Sequence, residues 1–307
     1  MKNAKQNLIG IYTRSPLHVG AGTSVDIVDL PVMRERITNF PVIPATSLKG
    51  VLRQQARDIF DGNDGDPAVN LLFGKQDDEQ TKDANGKKKA YAGAVIVGEG
   101  KLLAFPVRSL KGCFAWITCP TALRRFERDW GISLDLDKLP REPDSCCAGS
   151  SVAVSGSNDD CTVVLEEYPL TGTANGLAAQ IAGKLLEAGV CDDPVWQSDL
   201  ADRLVIVHDD NFQHLVTSCT EIVARIEMNP ATRTNKNLFN QENVPCEALF
   251  YSVCTLLDAR RPGDSQNPEQ SFRKLFGKDR KRLIQIGGDE TVGLGLCEVK
   301  LTEKGEE

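Results

Sequence analysis

Three carboxylates and two guanidinium groups share the stretch VDIVDLPVMRERI (25–37): Asp26, Asp29 and Glu35 stand beside Arg34 and Arg36. Upstream, LHVGAGT supplies His18; downstream, FPVIPATSLKGVLR adds Ser47, Lys49 and Arg53. An aspartate beside arginines stays ionised. In that form it can hold a hard divalent cation through oxygen or accept a proton from a reacting group. The neighbouring cations complement a polyanion such as a phosphate backbone. A cluster of surface ion pairs, worth little to stability, accounts for the same residues, and a lone histidine is as well explained by a structural role. No Ser–His–Asp spacing supports a hydrolase of that type.

The elements that must carry these groups follow from pattern. NLIGIYTRS (7–15) reads as a strand, and residues 15–39 as a long loop. Thr46 or Ser47 can cap a helix running to about Ile59, with Leu48, Val51, Leu52, Ala56 and Ile59 on one face. Lys49, Arg53 and Arg57 then form a basic stripe at i, i+4 and i+8, and phosphate is attracted to such a helix start. Residues 61–90 are Gly-, Asp- and Lys-rich and read as a mobile insertion. YAGAVIVGEGKLLAFPVRS gives two strands around a GEG turn, and PTALRRFERDW a helix.

Further along, VVLEEYPL, RLVIVHDD and EIVARIEM read as strands, and GLAAQIAGKLLEAG and DNFQHLVTSC as helices. Residues 228–257 form a hairpin whose polar, basic tip, 229–245, carries Arg233, Lys236, Leu238 and Phe239. Exposed apolar residues on a polar tip call for a partner. KRLIQIGG and GLCEVKL are strands around GGDETVGLG, which has neither Walker nor Rossmann spacing; its glycines let a backbone approach a ligand closely. The mixed element order predicts an α+β fold around an antiparallel sheet.

The net charge of −7 is unevenly spread. Residues 131–203 carry a net −9 and the remainder +2, so local basic clusters persist, including RKLFGKDRKR (273–282). The ten cysteines contain no CxxC pair and the three histidines lie apart from them, which argues against structural zinc. Cys119 and Cys254 sit in apolar runs and are expected buried and reduced. No run spans a bilayer, and the N-terminus turns polar too early for a signal peptide; a cytoplasmic, non-membrane protein is expected.

Taken in order, SPLHVGAG, VDLPVMRER, FPVIPATSLKGVLR, LLAFPVRSLKGCFAWITCP, VVLEEY, RIEMNPATRT and IQIGGDETVGLG resemble the RAMP proteins of CRISPR effector complexes. The resemblance is greatest to the backbone subunits of type III-B (Cmr) complexes, in the seventh Cas family. It covers about 8–60, 91–130, 160–257 and 283–301, leaving 61–90 and 258–271 unaligned. It implies a single RAMP domain over 1–307, with an RRM-like, ferredoxin-type palm, insertions (61–90 and the acidic 131–203) and a protruding thumb β-hairpin. The resemblance also implies copies stacked head to tail in a filament along a CRISPR guide RNA, in company with other Cmr subunits.

In that family a thumb displaces nucleotides of the guide–target duplex. The complementary target RNA is then cut at regular intervals, as part of antiviral defence, with a weakly bound divalent ion such as Mg or Mn. The resemblance assigns the essential carboxylate and metal contact to Asp29 in VDxP, with Asp26 and His18 as further catalytic candidates and Glu35 and Glu227 behind them. RNA contacts are implied for Arg34, Arg36, Ser47, Lys49, Arg53, Arg57, Arg233, Lys236, Leu238, Phe239, Gly287, Gly288, Thr291 and Gly293. Relatives often carry a charged Asp-Ala-Arg type turn where this chain has GEGK (98–101). A non-catalytic RNA-binding scaffold is the alternative reading, and a free-standing enzyme with a phosphorylated substrate a third.

Overall fold

A computed structural model describes residues 4–22, 28–60, 66–75, 91–156, 160–173, 176–229, 231–260 and 267–304. The strand Lys5–Thr13 lies inside the main sheet, third from one edge. Its edges pair antiparallel with Leu249–Leu256 and Leu296–Glu303. Leu249–Leu256 pairs in turn with Val95–Val97 and Gly100–Ser109. Helices Ala45–Ile59 and Pro268–Lys274 occupy the two crossovers, and Lys281–Gln285 forms the outer edge beyond Leu296–Glu303.

Period-two alternation divides the core. Ile9 and Ile11 of the first strand enter a cluster with Leu48, Leu52, Ala56, Leu72 and Phe272. Leu8 and Tyr12 enter a second cluster with Trp116, Phe126, Leu185 and Trp196 on the other face. Gly10 lies between them where a Cβ would stand 1.6 Å from the Val190 carbonyl oxygen, so the backbone of the second layer rests directly on the sheet.

The predicted α+β antiparallel architecture describes the central sheet but not the whole chain. Gly100–Ser109, Cys113–Thr118, Leu204–Val207, Ser145–Ala148, Tyr168–Thr173 and Cys161–Leu165 close into a six-stranded barrel, the last joining the first at Leu165 and Ser109. Two of its pairings are parallel. The acidic segment 131–203 is therefore no appendage. It supplies barrel strands and the helices Leu177–Glu187 and Pro194–Arg203 that cover the second core.

Two further expectations are corrected. Within 61–90, the described residues 66–75 belong to the core: Asp66 caps Pro67–Phe73 by accepting from the Ala68 N–H at 2.6 Å, and Ala68 to Phe73 are all buried. Residues 61–65 and 76–90 lie outside the described set. The helix expected to begin at Thr46 or Ser47 begins at Ala45, with Pro44 at the cap position and no side-chain cap. Pro44 ends the extended approach, and its carbonyl accepts the first helical bond from Leu48 N–H at 3.0 Å.

All ten cysteines are free and seven are buried, Cys119 and Cys254 among them. Burial pushes the thiols of Cys146, Cys191, Cys254 and Cys297 up to about 12, which keeps them protonated. Among the described residues no helix is long and apolar enough to cross a membrane.

Candidate functional site at the root of a hairpin

Strands Glu221–Met228 and Asn235–Asn243 form a two-stranded ribbon separate from the main sheet. The excursion thus starts at Glu221, not at 229, and its strands run to Met228 and from Asn235. Leu238 and Phe239 stand in the return strand rather than at the tip. Leu238, Ile226 and Met228 are all more than half exposed. The expected exposed apolar surface is present, and it extends down the stem.

The return strand has one edge on its hairpin partner; the other must be satisfied elsewhere. The loop before the first helix does this. Asn240 N–H donates to Asp29 Oδ2 at 2.7 Å, and Asn240 O accepts from Leu30 N–H at 3.0 Å. Glu242 N–H donates to Leu30 O at 3.0 Å, and Glu242 O lies 2.7 Å from His18 Nδ1. Val244 and Leu17 exchange both backbone bonds. Asp29 and His18 therefore hang from one strand edge two residues apart, on anchors about 7 Å from each other at strand rise.

Asp29 is exposed, and Oδ2 is its only oxygen hydrogen-bonded among the described residues. His18 is buried. Its Nδ1 faces a carbonyl, so that nitrogen carries the proton and Nε2 is the acceptor in the neutral ring. Gly20 leaves the space in front of Nε2, since a Cβ there would approach to 2.8 Å.

The glycine-rich loop closes the other side of His18. Gly288 N–H donates to His18 O at 2.9 Å. At Gly287, φ is +84° and a Cβ would lie 2.2 Å from that same oxygen. We expect Gly287→Ala to lower the unfolding free energy by at least about 1–2 kcal/mol from the left-handed backbone alone, with the clash added; urea denaturation measures it. Gly287, Gly288, Thr291 and Gly293 are exposed beside the hairpin root.

Arg34 is not available as expected. Its Nη2 donates to Glu242 Oε1 at 2.5 Å and its Nη1 to the carbonyls of Asn39 and Val216 at 2.9 and 3.2 Å. Glu242, 6% exposed, also accepts from Thr220 Oγ1 and Val32 N–H, each at 2.9 Å. The pair ties the segment after Asp29 to the hairpin. A buried carboxylate needs that many donors, so Arg34 serves the fold.

Arg36 is exposed beside Ile37, which is 91% exposed. Glu35 is engaged by Arg125 at 2.7 Å, and Glu227 by Lys236 at 2.5 Å out on the stem. Arg233 is exposed at the turn, with φ +54°. Ser47, Lys49, Arg53 and Arg57 are half-buried on the helix Ala45–Ile59, so the predicted open basic stripe is partly covered. In the GEGK turn, Lys101 donates to Asp129 at 2.6 Å. Burial raises the Asp129 carboxyl, but bonds from Lys101, Arg128 and Tyr251 outweigh it and leave the group below its usual range. Asp26 lies outside the described residues.

Sequence reasoning missed Asn240, Gln241, Glu242, Arg225 and Asp289. The signal was the polar run NQEN inside a strand: Gln241, Glu242 and Asn243 are buried, and buried polar side chains in a row imply partners brought from elsewhere.

Among the described residues no three His, Cys, Asp or Glu side chains converge as metal ligands. A resident cage is therefore not what these residues build. One exposed carboxylate does suit a divalent ion held chiefly by phosphate and water.

The sequence profile of the RAMP superfamily matches residues 11–298. The CRISPR system Cmr endoribonuclease Cmr4 of Pyrococcus furiosus is 35% identical over 309 residues, covering 97% of this chain and 96% of its own length. The crystal structure of oligomeric Cmr4 from Pyrococcus furiosus is similar with a TM-score of 0.71 at 30% identity, over 98% of this chain and 99% of that one. A cryo-EM structure of the type III-B Cmr-beta complex bound to cognate target RNA contains a chain of the same fold. It has a TM-score of 0.68 at 18% identity, covering 97% of this chain and 96% of that one.

Proposed function

The chain belongs to the RAMP superfamily, and from that premise we propose that it is the repeated RNA-binding subunit of a type III-B CRISPR effector complex and cuts target RNA in place. The observation that carries the reading is the exposed Asp29 carboxylate, held by a backbone N–H at the root of a projecting hairpin. We read the four antiparallel strands around Lys5–Thr13 as the ferredoxin-type palm and the ribbon Glu221–Asn243 as the thumb.

Cleavage of RNA by its own 2′-OH needs that oxygen in line with the adjacent phosphorus, a geometry an A-form duplex does not supply. A wedge that unstacks one nucleotide supplies it, and positioning of this kind lowers a barrier by several kcal/mol. The exposed apolar faces of the thumb fit insertion between bases. Asp29 is the side chain placed to take the proton of the attacking hydroxyl or to orient a hydrated cation on the phosphate. A bound Mg2+ or Mn2+ would supply charge neutralisation there, with Asp29 as its protein ligand. His18, fixed by Glu242 and Gly288, shapes the floor beneath. Sequence reading falls to base pairing with a guide. Copies related head to tail would give cuts at constant spacing.

The test is a complex reconstituted with a defined guide and an end-labelled complementary target. A ladder of metal-dependent cuts at one repeating interval is the expected product. Retention of guide and target with no cutting would leave the scaffold reading in its place. A monomer that purifies without RNA would exclude both.

A further inference from the structure

The thumb root is gripped on two faces. Arg34 and Glu242 hold the face that carries Asn240 and Glu242. On the opposite face stand Val223, Arg225, Phe239 and Gln241, and the glycine-rich loop meets it through one side chain. Asp289 Oδ1 accepts from Arg225 Nη1 at 3.0 Å, and its Oδ2 from Gln241 Nε2 at 2.8 Å. It thereby joins both strands of the ribbon to the loop that carries Gly287 and Gly288. Asp289 has φ +64°, a conformation that aspartate and asparagine tolerate better than most residues.

We infer that Asp289 is a positioning residue: it sets the angle at which the thumb leaves the palm, and through Asn240 the place of the Asp29 carboxylate. Asn240, which holds Asp29, lies between Phe239 and Gln241 on the return strand. Any swing of that strand carries Asp29 with it. The Asp289–Arg225 pair is partly exposed, with side chains 34% and 24% accessible. Exposed pairs of this kind do little for stability, and the root keeps its fold through Glu242. What the pair adds is direction. The wedge and the acid are then fixed by the same loop, so that the displaced nucleotide and the Asp29 carboxylate stay in register.

This inference rests on the nuclease reading for its consequence but not for its structural test. Asparagine at 289 keeps the backbone conformation and removes the charge. In the isolated subunit, Asp289→Asn is expected to speed hydrogen exchange of the stem amides between Val223 and Phe239 with no change in the unfolding midpoint. In the reconstituted complex, single-turnover cleavage at saturating target is expected to fall about tenfold to a hundredfold, as small misplacements do. Cuts at neighbouring phosphates should appear, and target affinity should change less than threefold. Arg225→Gln should do the same, and the double variant should be no slower than the slower single. Unchanged exchange in the subunit would overturn the inference. So would an unaltered ladder, or a loss of affinity equal to the loss of rate. If the unmodified complex does not cut at all, the nuclease reading fails by itself, and exchange still decides the role of Asp289.

Discussion

Replacing Asp29 by asparagine should slow target cleavage by a factor of about 10²–10⁴, the range that loss of a positioned proton acceptor costs, while the complex still binds guide and target. Asparagine is the informative choice. Its Oδ1 can still accept from the Asn240 N–H, the bond that anchors Asp29 now, so the loop should keep its place. What disappears is the negative charge and the basic lone pair. Asp29 is exposed, and among the described residues no other carboxylate shares its anchor. Single-turnover rates at several Mg2+ concentrations separate the two uses of the carboxylate. A defect that high Mg2+ repairs assigns Asp29 to the cation; one that persists at all concentrations assigns it to the proton. A variant that cuts at the unmodified rate would remove Asp29 from the reaction.

The second large effect falls on stability. Arg34→Met should lower the unfolding free energy by about 3–5 kcal/mol, the usual cost of leaving one partner of a buried ion pair unpaired. Arg34 and Glu242 have side chains only 14% and 8% accessible. Without the guanidinium, Glu242 keeps Thr220 and the Val32 N–H as donors but loses its compensating charge. The paired variant Arg34→Met/Glu242→Leu should recover much of the loss, because nothing charged then remains buried. Urea denaturation monitored by tryptophan fluorescence measures both. An Arg34 variant that unfolds at the normal midpoint yet binds RNA more weakly would restore Arg34 to the RNA surface.

Local pattern was enough to find the elements that hold the site, because each repeats a rule along its own length. The Leu48, Leu52 and Ala56 face marked its helix, and β-branched residues marked the first strand. The motifs around Asp29 and the glycine-rich loop likewise lay in continuous stretches. What could not be seen was the join. Arg34 and Glu242 are partners across 208 residues of chain, and Asp29 and Asn240 across 211. Arginine among acids looks the same whether it faces phosphate or a buried glutamate. The barrel escaped for a different reason. Leu204–Val207 is buried on both faces, so it shows no alternation, and its neighbours are scattered from residue 100 to 173. The charges of 131–203 hid a segment that is apolar wherever it packs.

The pairing of Lys5–Thr13 with Leu296–Glu303 has a consequence for how the molecule is made. Lys5–Thr13 must wait for Leu296–Glu303 to be synthesised before its second edge is covered. The barrel, drawn from the contiguous span 100–207, can close while the remainder is still being translated. While the residues between the two strands are translated, Lys5–Thr13 stays an apolar, edge-open strand, the kind of surface that chaperones protect. Non-local pairing of this sort also makes the central sheet the slow step of folding, so a chain truncated before Leu296 should accumulate with its barrel formed and its palm open.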